Sequence, residues 1–123
     1  MATILVAEDD AGVREFLLAA LRRAGHTAMP AHNGRDALDV LEAFDEPIDL
    51  LVSDINMPGI GGVELVSLAR QRGDHLPILM MSGTNRFEFR RATLPEDVTI
   101  LEKPFGTEAL LAAIDIALRP QGA

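Results

Sequence analysis

Five short apolar runs, each closed by a polar or turn-forming residue, set the strongest limit on how this chain can fold. They are Ile4 to Ala7, Thr27 to Ala31, Leu50 to Ser53, Ile78 to Met81 and Val98 to Leu101, the second being the weakest. Continuous apolar runs this short, bounded by turn signals, read as strands buried on both faces of a parallel sheet. Helical spacing fills the intervals. Val13, Phe16, Leu17, Ala20, Leu21 and Ala24 recur with the α-helical period, and Gly25 is a stop signal. Ala37, Leu38 and Leu41 give a second helix a narrow face between the Asn33-Gly34 cap or turn and Asp45-Glu46-Pro47. Val63, Val66 and Ala69 follow as a third, until Gly73 and Pro77. Leu110, Leu111, Ile114 and Leu118 line a last helix, with Thr107 as its expected N-cap. Between Thr84 and Pro95 the pattern is poor, and a short helix is expected there.

Strands alternating with helices specify βα units joined by right-handed crossovers, with helices on both faces. The expected architecture is α/β: a doubly wound five-stranded parallel sheet, order 2-1-3-4-5, with five helices. At 123 residues the chain suits one domain, 1–123, with room for a real core. No repeat, linker or low-complexity segment interrupts it.

The stretch Leu50-Leu51-Val52-Ser53-Asp54-Ile55-Asn56-Met57-Pro58-Gly59 carries the first functional hint. Pro58 disfavours a helical Met57, and the glycines permit positive φ. Asp54 is therefore expected at the carboxyl end of a central strand, beneath a loop, on the edge where α/β sheets bind ligands. Alone, such an aspartate reads more readily as a cap or brace for its loop, and the other residues must decide. The expected order sets strand 1 beside strand 3, so Glu8 and Asp9 meet Asp54 at one crevice.

Three carboxylates this close cannot all stay ionised without compensation. A hard divalent cation is the natural remedy, and Mg²⁺ takes oxygen ligands and favours phosphate as co-ligand. Strands 4 and 5 aim Ser82 and Lys103 at the same edge. Hydroxyl, ammonium and cation around one carboxylate make a clamp for a tetrahedral oxyanion. Each residue also has a plainer role: Ser82 as a cap, Lys103 as a neutralising charge, Glu8-Asp9-Asp10 as a solvated helix start. Four strand ends with complementary chemistry favour the joint reading.

Composition narrows the function further. The net charge of −8 opposes nonspecific binding to nucleic acid or anionic membrane, and suits a cation or a basic partner surface. Zero cysteines exclude disulfides, thiol catalysis and thiolate zinc sites. No secretion signal opens the chain and no run is long enough to span a membrane, so a cytoplasmic location is expected. His26, His32 and His75 show no ligand spacing and are expected at the surface.

Glu8-Asp9, Asp54 within Ser53-Asp54-Ile55-Asn56-Met57-Pro58-Gly59, Ser82-Gly83 and Lys103-Pro104-Phe105, in that order, resemble the signature of response-regulator receiver domains of two-component signalling. The match runs from about Ile4 to Leu118. The resemblance implies a flavodoxin-like fold in which Asp54 accepts a phosphoryl group from a phosphohistidine on a histidine kinase or histidine phosphotransfer protein. It implies Mg²⁺ held by Glu8, Asp9, Asp54 and the backbone carbonyl of Asn56. It implies Ser82 on a phosphoryl oxygen and Lys103 paired with the phosphoaspartate, with Asp10 capping the first helix. It also implies a cis Lys103–Pro104 bond. Catalysis is then limited to self-phosphorylation and autodephosphorylation.

Two departures stand out. Ile100 occupies the place, three before Lys103, where the family has Tyr or Phe, so it cannot signal by swinging a ring. The stretch Arg90 to Thr99 lacks the family's Gly-Ala, as in some receivers attached to hybrid kinases. The chain ends just past the last helix, so a receiver without an output domain is expected, either free-standing or cut from a longer protein. Two other classes compete. A haloacid-dehalogenase-type aspartyl phosphatase would want an acid where Asn56 stands. A phosphorylation-independent docking module of the same fold is kept open by Ile100.

Overall fold

The computed structural model describes residues 1–71, 75–83 and 94–119. Its elements run β1 (Thr3–Ala7), α1 (Ala11–Arg23), β2 (Thr27–Ala31), α2 (Gly34–Ala43), β3 (Leu50–Asp54), α3 (Gly62–Arg70), β4 (Ile78–Ser82), β5 (Thr99–Glu102) and α4 (Thr107–Leu118). All strand pairs are parallel, and the sheet order is β2-β1-β3-β4-β5, as expected.

The two-residue period of the strands splits the core into two layers. Ile4, Val6, Leu50, Val52, Leu79 and Met81 face Leu17 and Leu21 of α1 and Leu110 and Ile114 of α4. Leu5, Ala7, Leu51, Ile78 and Met80 face Ala37 and Leu38 of α2 and Leu65, Val66 and Ala69 of α3. Both faces of β1, β3 and β4 are thus covered, which is why these runs are apolar without alternation. Each fully buried aliphatic side chain contributes on the order of 1.5–3 kcal/mol. β2 lies at an edge, where Pro30 removes no ladder bond that a neighbour needs.

Helix ends follow local chemistry. Asp10 caps α1, its Oδ1 accepting from Val13 N at 3.0 Å. Asn33 caps α2, its Oδ1 accepting from Asp36 N at 2.8 Å. Gly25 takes φ of 96° just past α1, a left-handed stop that a side chain would resist.

Some expectations are corrected. Gly106, not Thr107, is the N-cap of α4, without a side-chain bond, and Thr107 is its first helical residue. The β5 strand starts one residue later than Val98. Four helices rather than five stand among the described residues; the fifth, expected between Thr84 and Pro95, falls on 84–93, outside them. His26 is half-buried, its Nδ1 accepting from Ala2 N at 3.1 Å, whereas His32 and His75 are exposed.

Candidate functional site

Strand register brings the acids together. Ala7 of β1 pairs with Ser53 of β3, so the next residues, Glu8 and Asp54, leave the carboxyl edge side by side. Oxygen atoms of Glu8, Asp9 and Asp54 all lie within 4.8 Å of one another. Glu8 is 1% exposed and Asp54 8%, while Asp9 is open to solvent. An all-oxygen set of this kind fits a hard cation better than a soft one.

The close approach of the β3–α3 loop depends on small residues. A Cβ on Gly62 would lie 2.5 Å from the Asp54 carbonyl oxygen and 2.7 Å from Ile55 Cα. With hydrogen there instead, Gly62 N donates to Ile55 O at 2.8 Å, closing the loop under the acidic crevice.

One ammonium enters the cluster. Lys103 Nζ donates to Asp54 Oδ2 at 2.9 Å and to Glu8 Oε1 at 3.5 Å. Lys103 follows β5, and its N–H donates to the Ser82 carbonyl at 2.7 Å, which ties the ends of β4 and β5. The Lys103–Pro104 bond is cis, as the sequence comparison implied. Asn56 N donates to Asp54 Oδ1 at 3.3 Å, and the buried Ser82 hydroxyl donates to Gly83 O at 3.3 Å.

The electrostatics show a site short of positive charge. Burial, reinforced by the Asp54 charge, lifts the Glu8 carboxyl from 4.5 to about 7, against the Asp10 N–H bond and Lys103. Burial alone would lower the Lys103 ammonium, but its hydrogen bond to Asp54 and the charges of Asp54 and Glu8 outweigh this and raise it. A cation beside Glu8 would favour its ionised form, offsetting the cost of burial and the repulsion from Asp54.

Glu8, Asp9, Asp54, Ser82 and Lys103 therefore gather at the carboxyl ends of β1, β3, β4 and β5. Asp10 instead caps α1, and its N–H donates to Glu8 Oε2 at 3.1 Å. Ile100 is half-buried, packed against the α2/α3 layer and paired with Met80 in the ladder. One neighbour went unnoticed in the sequence: Arg14, whose Nη1 donates to the Glu8 carbonyl at 2.8 Å. The signal was a cation in the first turn of a helix, the end that the peptide dipole makes unfavourable for one.

The model of the response regulator receiver domain family matches residues 4–115. Response regulator MprA of Mycobacterium avium is 41% identical over 117 residues, which cover 94% of this chain and 50% of MprA. The chain thus spans about half the length of such relatives. Among solved structures, chemotaxis protein CheY4 of Vibrio cholerae is 31% identical with a TM-score of 0.81, covering 96% of this chain and 99% of that one. A response regulator receiver protein from Sinorhizobium medicae is 30% identical, with a TM-score of 0.84 and coverage of 95% and 94%.

Proposed function

Because this chain belongs to the response regulator receiver domain family, we propose that Asp54 is its phosphoacceptor and that phosphorylation regulates a partner protein. The observation that carries this reading is the Asp54 carboxylate, nearly buried and held at 2.9 Å by Lys103 among acids 4.8 Å or less away. An Asp54 oxygen attacks the phosphorus of a phosphohistidine. The new O–P bond forms as the N–P bond breaks, and the leaving imidazole takes up a proton. Lys103 stays beside the acyl phosphate and offsets the added charge, while the Ser82 hydroxyl turns from Gly83 O toward a phosphoryl oxygen.

Glu8, Asp9, Asp54 and the carbonyl of Asn56 would hold Mg²⁺. When bound, the ion supplies positive charge to the phosphoryl oxygens. The donors are a histidine kinase or histidine phosphotransfer protein, met in the cytoplasm, and residues 1–123 form the receiver domain. Among the described residues, no helix is long and apolar enough to cross a membrane.

The aspartyl phosphatase reading fits less well, since Asn56 offers no acidic proton at the position where that chemistry needs one. Incubation with acetyl phosphate and Mg²⁺, followed by intact mass measurement, tests the proposal. The mass should rise by one phosphoryl unit, and Asp54→Asn should abolish the gain. The same gain in Asp54→Asn would overturn the assignment. No gain in the wild type would favour a docking module that works without phosphorylation.

A further inference from the structure

We propose that Arg14 is a positioning residue for the metal-binding carboxylates, acting through the peptide that links Glu8 to Asp9. The inference rests on the metal site proposed above. Arg14 stands in the first turn of α1, where aligned N–H groups disfavour a cation. Three acids precede it on the same loop, yet its guanidinium chooses a carbonyl. Nη1 donates to Glu8 O at 2.8 Å, and among the described residues no carboxylate comes within ion-pair distance of it. Its charge is not spent on neutralising Glu8 or Asp9. Its hydrogen bond is spent on holding the backbone between them.

That backbone is what aims Asp9. The Glu8 carbonyl and the Asp9 N–H belong to one planar unit, so fixing the oxygen fixes the plane. The plane in turn limits where the Asp9 side chain leaves the chain. Asp9 is exposed, and among the described residues no N–H group braces its carboxylate. The other polar groups of Glu8 are already held: its N–H donates to Ala31 O at 3.1 Å, and its carboxylate accepts from Asp10 N and Lys103. Arg14 secures the remaining one. Arg14 is itself anchored, because its N–H donates to Asp10 O at 2.9 Å within the helix that Asp10 caps.

Removing Arg14 has two effects on metal binding, of opposite sign. Deleting a positive charge near a cation site favours the cation by simple electrostatics. Loosening the Glu8–Asp9 peptide disfavours it, and loss of a residue that orients ligands typically costs about 10- to 100-fold in metal affinity. In this site the second effect outweighs the first.

Mg²⁺ titration by calorimetry on the wild type, Asp9→Asn, Arg14→Met and Arg14→Lys decides it, with thermal melts in metal-free buffer to verify folding. The wild type should bind one ion, and Asp9→Asn should bind much more weakly. Arg14→Met should bind about tenfold more weakly than the wild type. Arg14→Lys should fall between them, since an ammonium still donates to the carbonyl, though without the planar fork. An Arg14→Met protein that binds Mg²⁺ as tightly as the wild type, or more tightly, overturns the positioning role while leaving the metal site standing. A lowered melting temperature with unchanged affinity does the same, since it marks a helix brace only. If Arg14→Met does not fold, Arg14→Lys alone decides: weaker binding at equal charge supports the role, and unchanged binding overturns it. Equal binding by the wild type and Asp9→Asn instead removes the metal site, and the inference with it.

Discussion

Lys103 Nζ lies 2.9 Å from Asp54 Oδ2, bridging the first residue after β5 to the last residue of β3. The same nitrogen reaches Glu8 Oε1 at 3.5 Å, so one ammonium serves two carboxylates that the fold has taken out of water. An arrangement with more buried negative than positive charge is costly on its own and receptive to a cation.

Replacing Lys103 by Met should therefore destabilise the metal-free protein at neutral pH. A charge-assisted bond to a buried group is worth about 1.5–3 kcal/mol. Urea denaturation should show that loss as a lower midpoint with an unchanged slope. Saturating Mg²⁺ should narrow the gap between mutant and wild type. A loss of the same size with and without Mg²⁺ would place the ion away from this cluster.

Glu8 makes the metal-free stability depend on pH. Its carboxyl is raised from 4.5 to about 7 in the folded state, chiefly by burial. Below 4.5 both folded and unfolded chains carry the proton, and Glu8 costs nothing. Above it the unfolded chain ionises freely while the folded one resists, so stability falls as pH rises toward about 7. Lys103 is also raised, and the stability it contributes persists below its ordinary 10.5 and is lost only as pH climbs beyond it. Because Mg²⁺ must displace the Glu8 proton, its affinity should climb with pH across the same window near 7. Calorimetry in buffers of different ionisation enthalpy would reveal the released proton, and a pH-independent affinity without proton release would refute the linkage.

The β3–α3 loop should be intolerant of bulk. In Gly62→Ala the added methyl meets the Asp54 carbonyl oxygen at 2.5 Å, and backbone cannot yield as a side chain can. Overpacking of this kind costs about 1–3 kcal/mol. The strain falls on the residue that carries the proposed phosphoryl group, so both thermal stability and labelling by acetyl phosphate should drop. Normal labelling in a destabilised Gly62→Ala would show that the loop relaxes away from Asp54.

Asp10 and Ile100 separate fold from chemistry. Asp10→Ala removes the α1 cap and should cost about 1 kcal/mol, while its N–H still holds Glu8, so Mg²⁺ affinity should hardly change. Ile100→Ala should cost about 2 kcal/mol, less than a fully buried site would, because Ile100 is only half-buried. Its phosphorylation at Asp54 should proceed at the wild-type rate. A tenfold loss of Mg²⁺ affinity in Asp10→Ala would make that residue a ligand, and a loss of labelling in Ile100→Ala would couple the strand to the chemistry.

Much of this molecule was legible in local pattern. The apolar runs at Ile4, Leu50 and Ile78 suit strands buried on both faces of a parallel sheet, so strands and helix faces followed from periodicity, and the sheet order from the usual doubly wound arrangement at this size. Asn33 and Asp10 announced helix starts by their chemistry, and the carboxyl ends of four strands named Glu8, Asp54, Ser82 and Lys103. Local pattern failed where a neighbour in space decides. Thr107 had the better capping side chain, yet Gly106 takes the cap. That Glu8 is 1% exposed while adjacent Asp9 is open depends on β1 lying beside β3 and β2, contacts made by distant residues. So does the sharing of Lys103 between two acids. Arg14 is the clearest case: its sequence neighbours are acids, and charge alone would pair it with one of them. Only the fold, by turning α1 back over the end of β1, brings a carbonyl within 2.8 Å and makes geometry rather than charge choose its partner.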